Sequence, residues 1–156
     1  LIPANVFVET GKRDATVLLE VDVLNLDGQA NTTVHFTLDD LHAMPAVSFG
    51  TGTIWYSGPQ HFKGVSLVDL MGQMGVTDGA LVAQRRDRSS IAINMSFVAD
   101  TEAITAYERN GATMSVRNWG PLQVVYPIDE IQLFKRDVHF SNAMSQLVRI
   151  VVNPER

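Results

Sequence analysis

Short segments of alternating apolar residues, separated by strong turn signals, most constrain what this chain can fold into. Apolar or threonine side chains recur at every second position in residues 16–26 and 47–53, as expected for strands with one buried face. Further strands are expected at residues 80–84, 91–95, 122–126 and 146–152. Dipeptides that favour tight turns interrupt the pattern: Asp27-Gly28, Gly58-Pro59, Asn110-Gly111 and Gly120-Pro121. The chain is therefore predicted to be rich in short strands.

Two hydroxyl residues, each followed three positions later by a carboxylate, predict two short helices. Thr37 precedes Asp40 and Ser66 precedes Asp69, the spacing at which a side chain can cap the free N–H groups of a first helical turn. The predicted helices span residues 38–44 and 67–74. Strands with short helices between them fit neither a helical bundle nor a doubly wound parallel sheet, so the predicted fold class is α+β with a mixed β-sheet. The expected core residues are Leu67, Leu70, Val124 and Ile150.

The composition limits the size of the core and the classes of partner. A chain of 156 residues, 46% of them hydrophobic, can bury one core, so residues 1–156 are expected to form a single domain. The formal net charge of −5 excludes a nucleic-acid partner, which needs clustered lysine and arginine. No apolar run reaches the roughly 18 residues of a membrane span, so no membrane insertion is expected. Residue 1 is leucine, which indicates that an upstream segment was removed and leaves the localisation, including export to the periplasm, open.

The chain contains no cysteine, so it has no thiolate to act as nucleophile, redox centre or metal ligand. Its serines do not occur in the G-x-S-x-G pattern of a hydrolase nucleophile. The histidines lack the close spacing that directs two imidazoles to one zinc ion: His35, His42, His61 and His139. No catalytic residue is therefore expected, and whether the chain is an enzyme stays open. His61 is kept as a ligand-binding candidate because it lies in the loop that contains Gly58-Pro59.

Two tryptophans lie in loops beside glycine and proline and are candidates for ligand binding. Trp55 precedes Ser57-Gly58-Pro59, and Trp119 precedes Gly120-Pro121. An indole in a loop most often covers the core, but beside a backbone that permits close approach it can also stack on a flat heterocycle.

The sequence Arg-Arg-Asp-Arg at residues 85–88, called here the arginine turn, is interpreted as an exposed hairpin turn. An anion-binding site is the alternative for these residues.

Four motifs in sequence resemble one family. They are Phe-Thr-Leu-Asp-Asp-Leu at 36–41 with Met44-Pro45, Phe-Lys-Gly-Val-Ser-Leu at 62–67 with Leu70-Met71, Asn110-Gly111, and Trp119-Gly120-Pro121-Leu122 with Val-Val-Tyr-Pro at 124–127. Together they are similar to the molybdopterin-binding oxidoreductase domain of the sulfite-oxidase type, over about residues 16–152. The resemblance implies that fold, in a short single-domain form.

The resemblance fails at the metal ligand. In that family a cysteine thiolate ligates molybdenum about a dozen residues before the glycine matched here by Gly64. The corresponding positions hold Thr51, Gly52 and Thr53, and neither a hydroxyl nor a glycine replaces a soft anionic sulfur. No cofactor is therefore expected, and molybdopterin remains the alternative that the resemblance implies.

The resemblance also implies a cleft faced by the segment at 50–55 and by the loop at 117–121. Its candidate ligand-binding residues are Thr51, Gly52, Thr53, Trp55, His61, Arg117 and Trp119. Arg117, Arg85 and Arg86 are the candidate contacts for a phosphate tail, while an exposed Arg117 without a ligand is the alternative. Three functions stay open: a non-catalytic module that binds a small molecule or a protein partner, an oxidoreductase whose metal is held by the pterin dithiolene alone, and an assembly domain with an empty cleft.

Overall fold

The computed structural model describes residues 16–25, 30–52, 56–127 and 144–153, which form a mixed α+β fold with two β-sheets. The strands of the first sheet, in spatial order, are β2 (Ala30–Thr37), β1 (Val17–Leu24), β10 (Leu147–Asn153), β5 (Ala80–Arg85) and β6 (Ser90–Asn94). The second sheet contains β3 (Ala46–Thr51), β4 (Gln60–Ser66), β7 (Ile104–Arg109) and β8 (Ala112–Thr113), and β9 (Gln123–Val125) also pairs with β7. Three short helices follow strands directly: α1 (Leu38–His42), α2 (Leu67–Gly72) and α3 (Met95–Thr101).

The predicted helix starts are confirmed, and both helices end earlier than expected. Thr37 accepts a hydrogen bond from the Asp40 backbone N–H while the Asp40 carboxylate accepts from the Thr37 N–H, so a complete capping box opens α1. Ser66 likewise caps α2 by accepting from the backbone N–H of Asp69. The expected hairpin at the arginine turn is also confirmed, since β5 and β6 pair antiparallel on either side of it.

The expected single mixed sheet is wrong, because its strands separate into two sheets. The first sheet is mixed, because β1 and β10 pair in parallel whereas the other neighbouring strands of this sheet pair antiparallel. The predicted strands at 47–53 and 122–126 join the second sheet instead, through β4 and β7, which the sequence pattern did not indicate as strands. Residues 26 and 53, the predicted ends of two strands, lie outside the described residues.

The main core combines residues of the helices and of both sheets, and the four expected core residues all belong to it. Leu67, Leu70, Val124 and Ile150 are each at most 1% exposed. A smaller core on the second sheet contains Phe62, Ile104, Ala106, Met114 and Val125. Within the described residues, no helix has the length and apolar character needed to cross a bilayer.

A buried carboxylate lies on the face of the first sheet opposite the main core. Asp22 is 4% exposed and accepts hydrogen bonds from Thr33 Oγ1 at 2.8 Å and Arg149 Nε at 2.7 Å. Arg149 also lies 3.2 Å from a Glu20 carboxylate oxygen. Burial raises the pKa of Asp22, but the hydrogen bonds from Thr33 and Arg149 outweigh burial and lower this pKa below its ordinary value of 3.8.

Candidate functional site

Tyr56 directly follows the segment at 50–55 and contacts the loop at 117–121, the two parts of the chain that the resemblance assigns to one cleft. Its hydroxyl donates to the backbone carbonyl of Asn118 at 2.8 Å and accepts from Gln123 Nε2 at 2.8 Å. The Arg109 guanidinium carbon lies 4.0 Å from the centroid of the Tyr56 ring, a cation–π contact. The chain that follows Trp55 is thereby fixed against the loop that contains Trp119.

Gln123 is the buried centre of this junction. It is fully buried, and its Nε2 also donates to the carbonyl of Trp119 at 3.2 Å. Its Oε1 has no hydrogen-bond partner in the part of the chain that the structure describes. Because both donor positions of the amide are used to hold neighbouring chain, Gln123 positions the loop around Trp119 and does not present its amide group to solvent.

A second set of polar contacts connects the segment at 56–57 to β4 and β7. Gln60 Oε1 accepts from Arg109 Nη1 at 2.7 Å and from Asn110 Nδ2 at 2.8 Å, and Gln60 Nε2 donates to the Ser57 carbonyl at 3.2 Å. The backbone N–H of His61 donates to Asn110 Oδ1 at 2.8 Å. His61 itself is exposed on β4, so the structure places its imidazole at the surface of this network.

The candidates around the missing cysteine are only partly described. Thr51 is fully buried at the end of β3, where it pairs with Gln60, and Gly52 is half-buried. The Thr51 hydroxyl lies 3.5 Å from the carbonyl oxygen of Gly52. Thr53 and Trp55 lie outside the described residues.

Arg117 lies on a short 3₁₀ turn, Val116–Asn118, and Trp119 directly follows this turn. Trp119 adopts left-handed backbone angles, with φ of 69°, and is 41% exposed. Its carbonyl accepts from Gln123 Nε2 and, at 3.0 Å, from the backbone N–H of Gln146. Arg117 is exposed.

The arginine turn lies beside this loop, although the two are distant in sequence. The backbone N–H of Arg86 donates to the Gln146 carbonyl at 3.0 Å, and Gln146 Nε2 donates to the Val116 carbonyl at 2.9 Å. Arg86 and Arg88 are exposed, which confirms the interpretation of an exposed hairpin turn. Hydrogen bonds from Ser89 hold the pKa of Asp87, the acidic residue of this turn, below its usual range.

Two cavities lie away from this junction. One, of about 470 Å³, is lined mainly by apolar residues at the ends of α1 and α2 and the start of α3, among them Met44, Val68, Val76 and Met95. The other, of about 460 Å³, lies along β6 and α3 beside Ile93 and Phe97. Neither cavity is lined by any of the sequence-predicted site residues.

The side chains present at the junction are committed to hydrogen bonds between loops. The described residues contain no group of three or more histidine, cysteine, aspartate or glutamate side chains that could hold a metal ion. Near the expected metal position the described donor is the Thr51 hydroxyl, a hard neutral oxygen that does not fit a soft transition metal. The residues of the junction are therefore suited to fixing two loops against each other.

Sequence reasoning missed the residues that build this junction. Tyr56 stood next to the candidate Trp55 but was not selected, and Gln123 is the single polar residue in the apolar run at 122–126. A polar side chain inside an otherwise apolar strand is the signal that could have indicated Gln123, because a buried amide needs partners. Gln60, Arg109 and Gln146 carry no local signal.

Comparison with known proteins finds no family model that matches this chain. It also finds no matching curated protein.

Proposed function

We propose that the chain is a molybdopterin-oxidoreductase-like domain of the sulfite-oxidase type that lacks the metal-ligating cysteine and acts as a non-catalytic binding module for a small molecule or a partner protein. The observation that carries this proposal is the junction at Tyr56, whose hydroxyl contacts both Asn118 and Gln123. It supports the proposal because Tyr56 directly follows the first of the two segments that the resemblance assigns to one cleft and contacts the second.

The second candidate is a molybdopterin-dependent oxidoreductase whose metal is held by the pterin dithiolene alone. The proximity of the arginine turn to Arg117 favours it, since these arginines could contact the phosphate of such a cofactor. The Thr51 hydroxyl is a hard neutral oxygen that does not fit a soft transition metal, so no catalytic step is assigned to this chain.

Metal analysis of the purified protein separates these two functions. The binding module is expected to purify without stoichiometric molybdenum and without visible absorption bands. Stoichiometric molybdenum, together with absorption changes on reduction with dithionite, would overturn the non-catalytic assignment.

Tryptophan fluorescence tests the binding surface independently. In a Trp55→Phe variant, Trp119 is the remaining indole, since the chain has two tryptophans. A binder that contacts the loop at 116–119 is expected to change the emission of this variant, and the reciprocal Trp119→Phe variant is the matched control.

A further inference from the structure

Two loops that carry arginines form one continuous surface because Gln146 bonds to both. Its carbonyl accepts from the backbone of Arg86 in the arginine turn, and its own backbone N–H donates to the carbonyl of Trp119. Its side-chain amide donates to the carbonyl of Val116. A single residue, Gln146, therefore connects the arginine turn to the 3₁₀ turn by hydrogen bonds.

Exposed apolar side chains lie within this surface. Val116 and Trp119 are each 41% exposed, two of the four large hydrophobic residues with high exposure among the described residues. The backbone of Trp119 is fixed by hydrogen bonds from Gln123 and Gln146, so its position is set before any partner arrives. Tryptophan and arginine are among the residues that most often dominate the affinity of protein interfaces, and a tryptophan whose backbone is already fixed loses less freedom on binding.

The charge of this surface is opposite to that of the whole protein. Arg86, Arg88 and Arg117 are exposed, and none of them forms a salt bridge within the described residues. The carboxylate of Asp87, between two of these arginines, accepts hydrogen bonds from the Ser89 N–H and hydroxyl. A cationic area on a chain of formal net charge −5 favours an anionic partner.

We propose that Arg86, Arg88, Val116, Arg117 and Trp119, called here the basic tryptophan surface, dock an acidic segment of a partner protein that carries a large apolar side chain. This inference rests on the proposed binding function and names its partner class. The carboxylates of the segment pair with the guanidinium groups, and its apolar side chain covers Trp119 and Val116. An extended partner fits better than an enclosed small molecule, because neither of the two cavities described above includes these residues.

The test measures binding of a fluorescently labelled peptide of glutamates with interspersed leucines to the full chain by anisotropy. The matched peptide has glutamine in place of every glutamate. The acidic peptide is expected to bind, more weakly as salt rises, and the glutamine peptide is expected to bind at least about tenfold more weakly.

Variants then locate the binding. Combined Arg86→Glu, Arg88→Glu and Arg117→Glu changes are expected to abolish binding, and Trp119→Ala to weaken it about thirtyfold. Lys63→Glu is the matched control, because Lys63 is exposed on β4 outside this surface and should leave affinity unchanged. Circular dichroism verifies folding, and the milder Arg117→Gln and Trp119→Phe variants replace any variant that does not fold.

Three outcomes would overturn the inference. One is that the acidic peptide does not bind, or binds equally well to the charge-reversed variant. Another is that only pyrophosphate, and not the peptide, quenches Trp119, which would leave the binding module intact but make its ligand a small anion. The third is a homodimer, detected by sedimentation, that the charge-reversal variant dissociates, because the surface would then join two copies of this chain.

Discussion

Gly64 lies where β4 passes very close to β7, and its replacement by alanine is expected to destabilise the protein strongly. A Cβ at position 64 would lie 2.0 Å from the carbonyl oxygen of Thr105 and 2.6 Å from the Cα of Ala106. Both neighbours are backbone atoms of the adjacent strand, which pairs with Gly64 at Ala106. Neither atom can rotate away as a side chain could, so the two strands must separate.

The expected loss follows from this geometry. Overpacking a well-packed site costs about 1–3 kcal/mol when neighbouring side chains can adjust, and more when they cannot. Separating the strands also weakens hydrogen bonds between β4 and β7, each worth about 1 kcal/mol. Gly64→Ala should therefore lower the free energy of unfolding by at least about 3 kcal/mol. For a chain of this size, that corresponds to a fall of about 6–12 °C in Tm.

Urea unfolding followed by tryptophan fluorescence, together with thermal melting followed by circular dichroism, measures this loss. Gly50→Ala is the matched control, because Gly50 lies in β3 of the same sheet and its Cβ would meet only the Gln60 carbonyl oxygen, at 3.8 Å. The control should stay within about 0.5 kcal/mol of the unchanged protein. Equal stability of Gly64→Ala and Gly50→Ala would refute the close crossing of β4 and β7.

Three further changes test other parts of the structure. Leu70→Ala should lower the free energy of unfolding by about 2–5 kcal/mol, because Leu70 is fully buried. Val68→Ala, on the exposed face of α2, should change the free energy of unfolding by less than about 0.5 kcal/mol. Equal urea midpoints for the two variants would show that the helix face is misassigned. Tyr56→Phe should cost about 1–3 kcal/mol, since it removes both hydrogen bonds of the hydroxyl, and an unchanged melting temperature would contradict the junction. Asp22→Asn should lower the free energy of unfolding at neutral pH, because it removes the ion pair with Arg149. Since the pKa of Asp22 is lowered in the folded protein, the stability difference between variant and unchanged protein should be present above pH 3.8 and shrink as the pH falls below it. A difference in urea midpoints that does not change with pH would contradict the pairing.

Elements with local signals could be predicted from the sequence, and the assembly of those elements could not. The helix starts at Thr37 and Ser66 depend on contacts three residues apart, so the sequence indicated both. The hairpin at the arginine turn is equally local. The division into two sheets depends on β4 and β7, whose pairing is set by contacts between residues that are distant along the chain.

The candidate site shows the same division between local and distant information. Trp119 was selected because glycine and proline follow it, and the structure places it on an exposed turn. The residues that hold its loop, Tyr56 and Gln146, come from segments distant along the chain in either direction. The resemblance predicted that the segment at 50–55 and the loop at 117–121 face one cleft, and it did not indicate the hydrogen bonds of Tyr56, the residue that follows the first segment.

Gln146 explains why the basic tryptophan surface has no signature in the sequence. It adopts left-handed backbone angles, with φ of 52°, a conformation that costs a residue other than glycine about 1–3 kcal/mol. In this conformation its backbone N–H, its carbonyl and its side-chain amide all form hydrogen bonds, to Trp119, Arg86 and Val116 respectively. These bonds offset the unfavourable backbone angles, and they exist only because β10 begins at the next residue and enters the first sheet beside β5. The alignment of the two cationic loops is therefore a consequence of where the last strand enters the sheet, which no local pattern around Gln146 specifies.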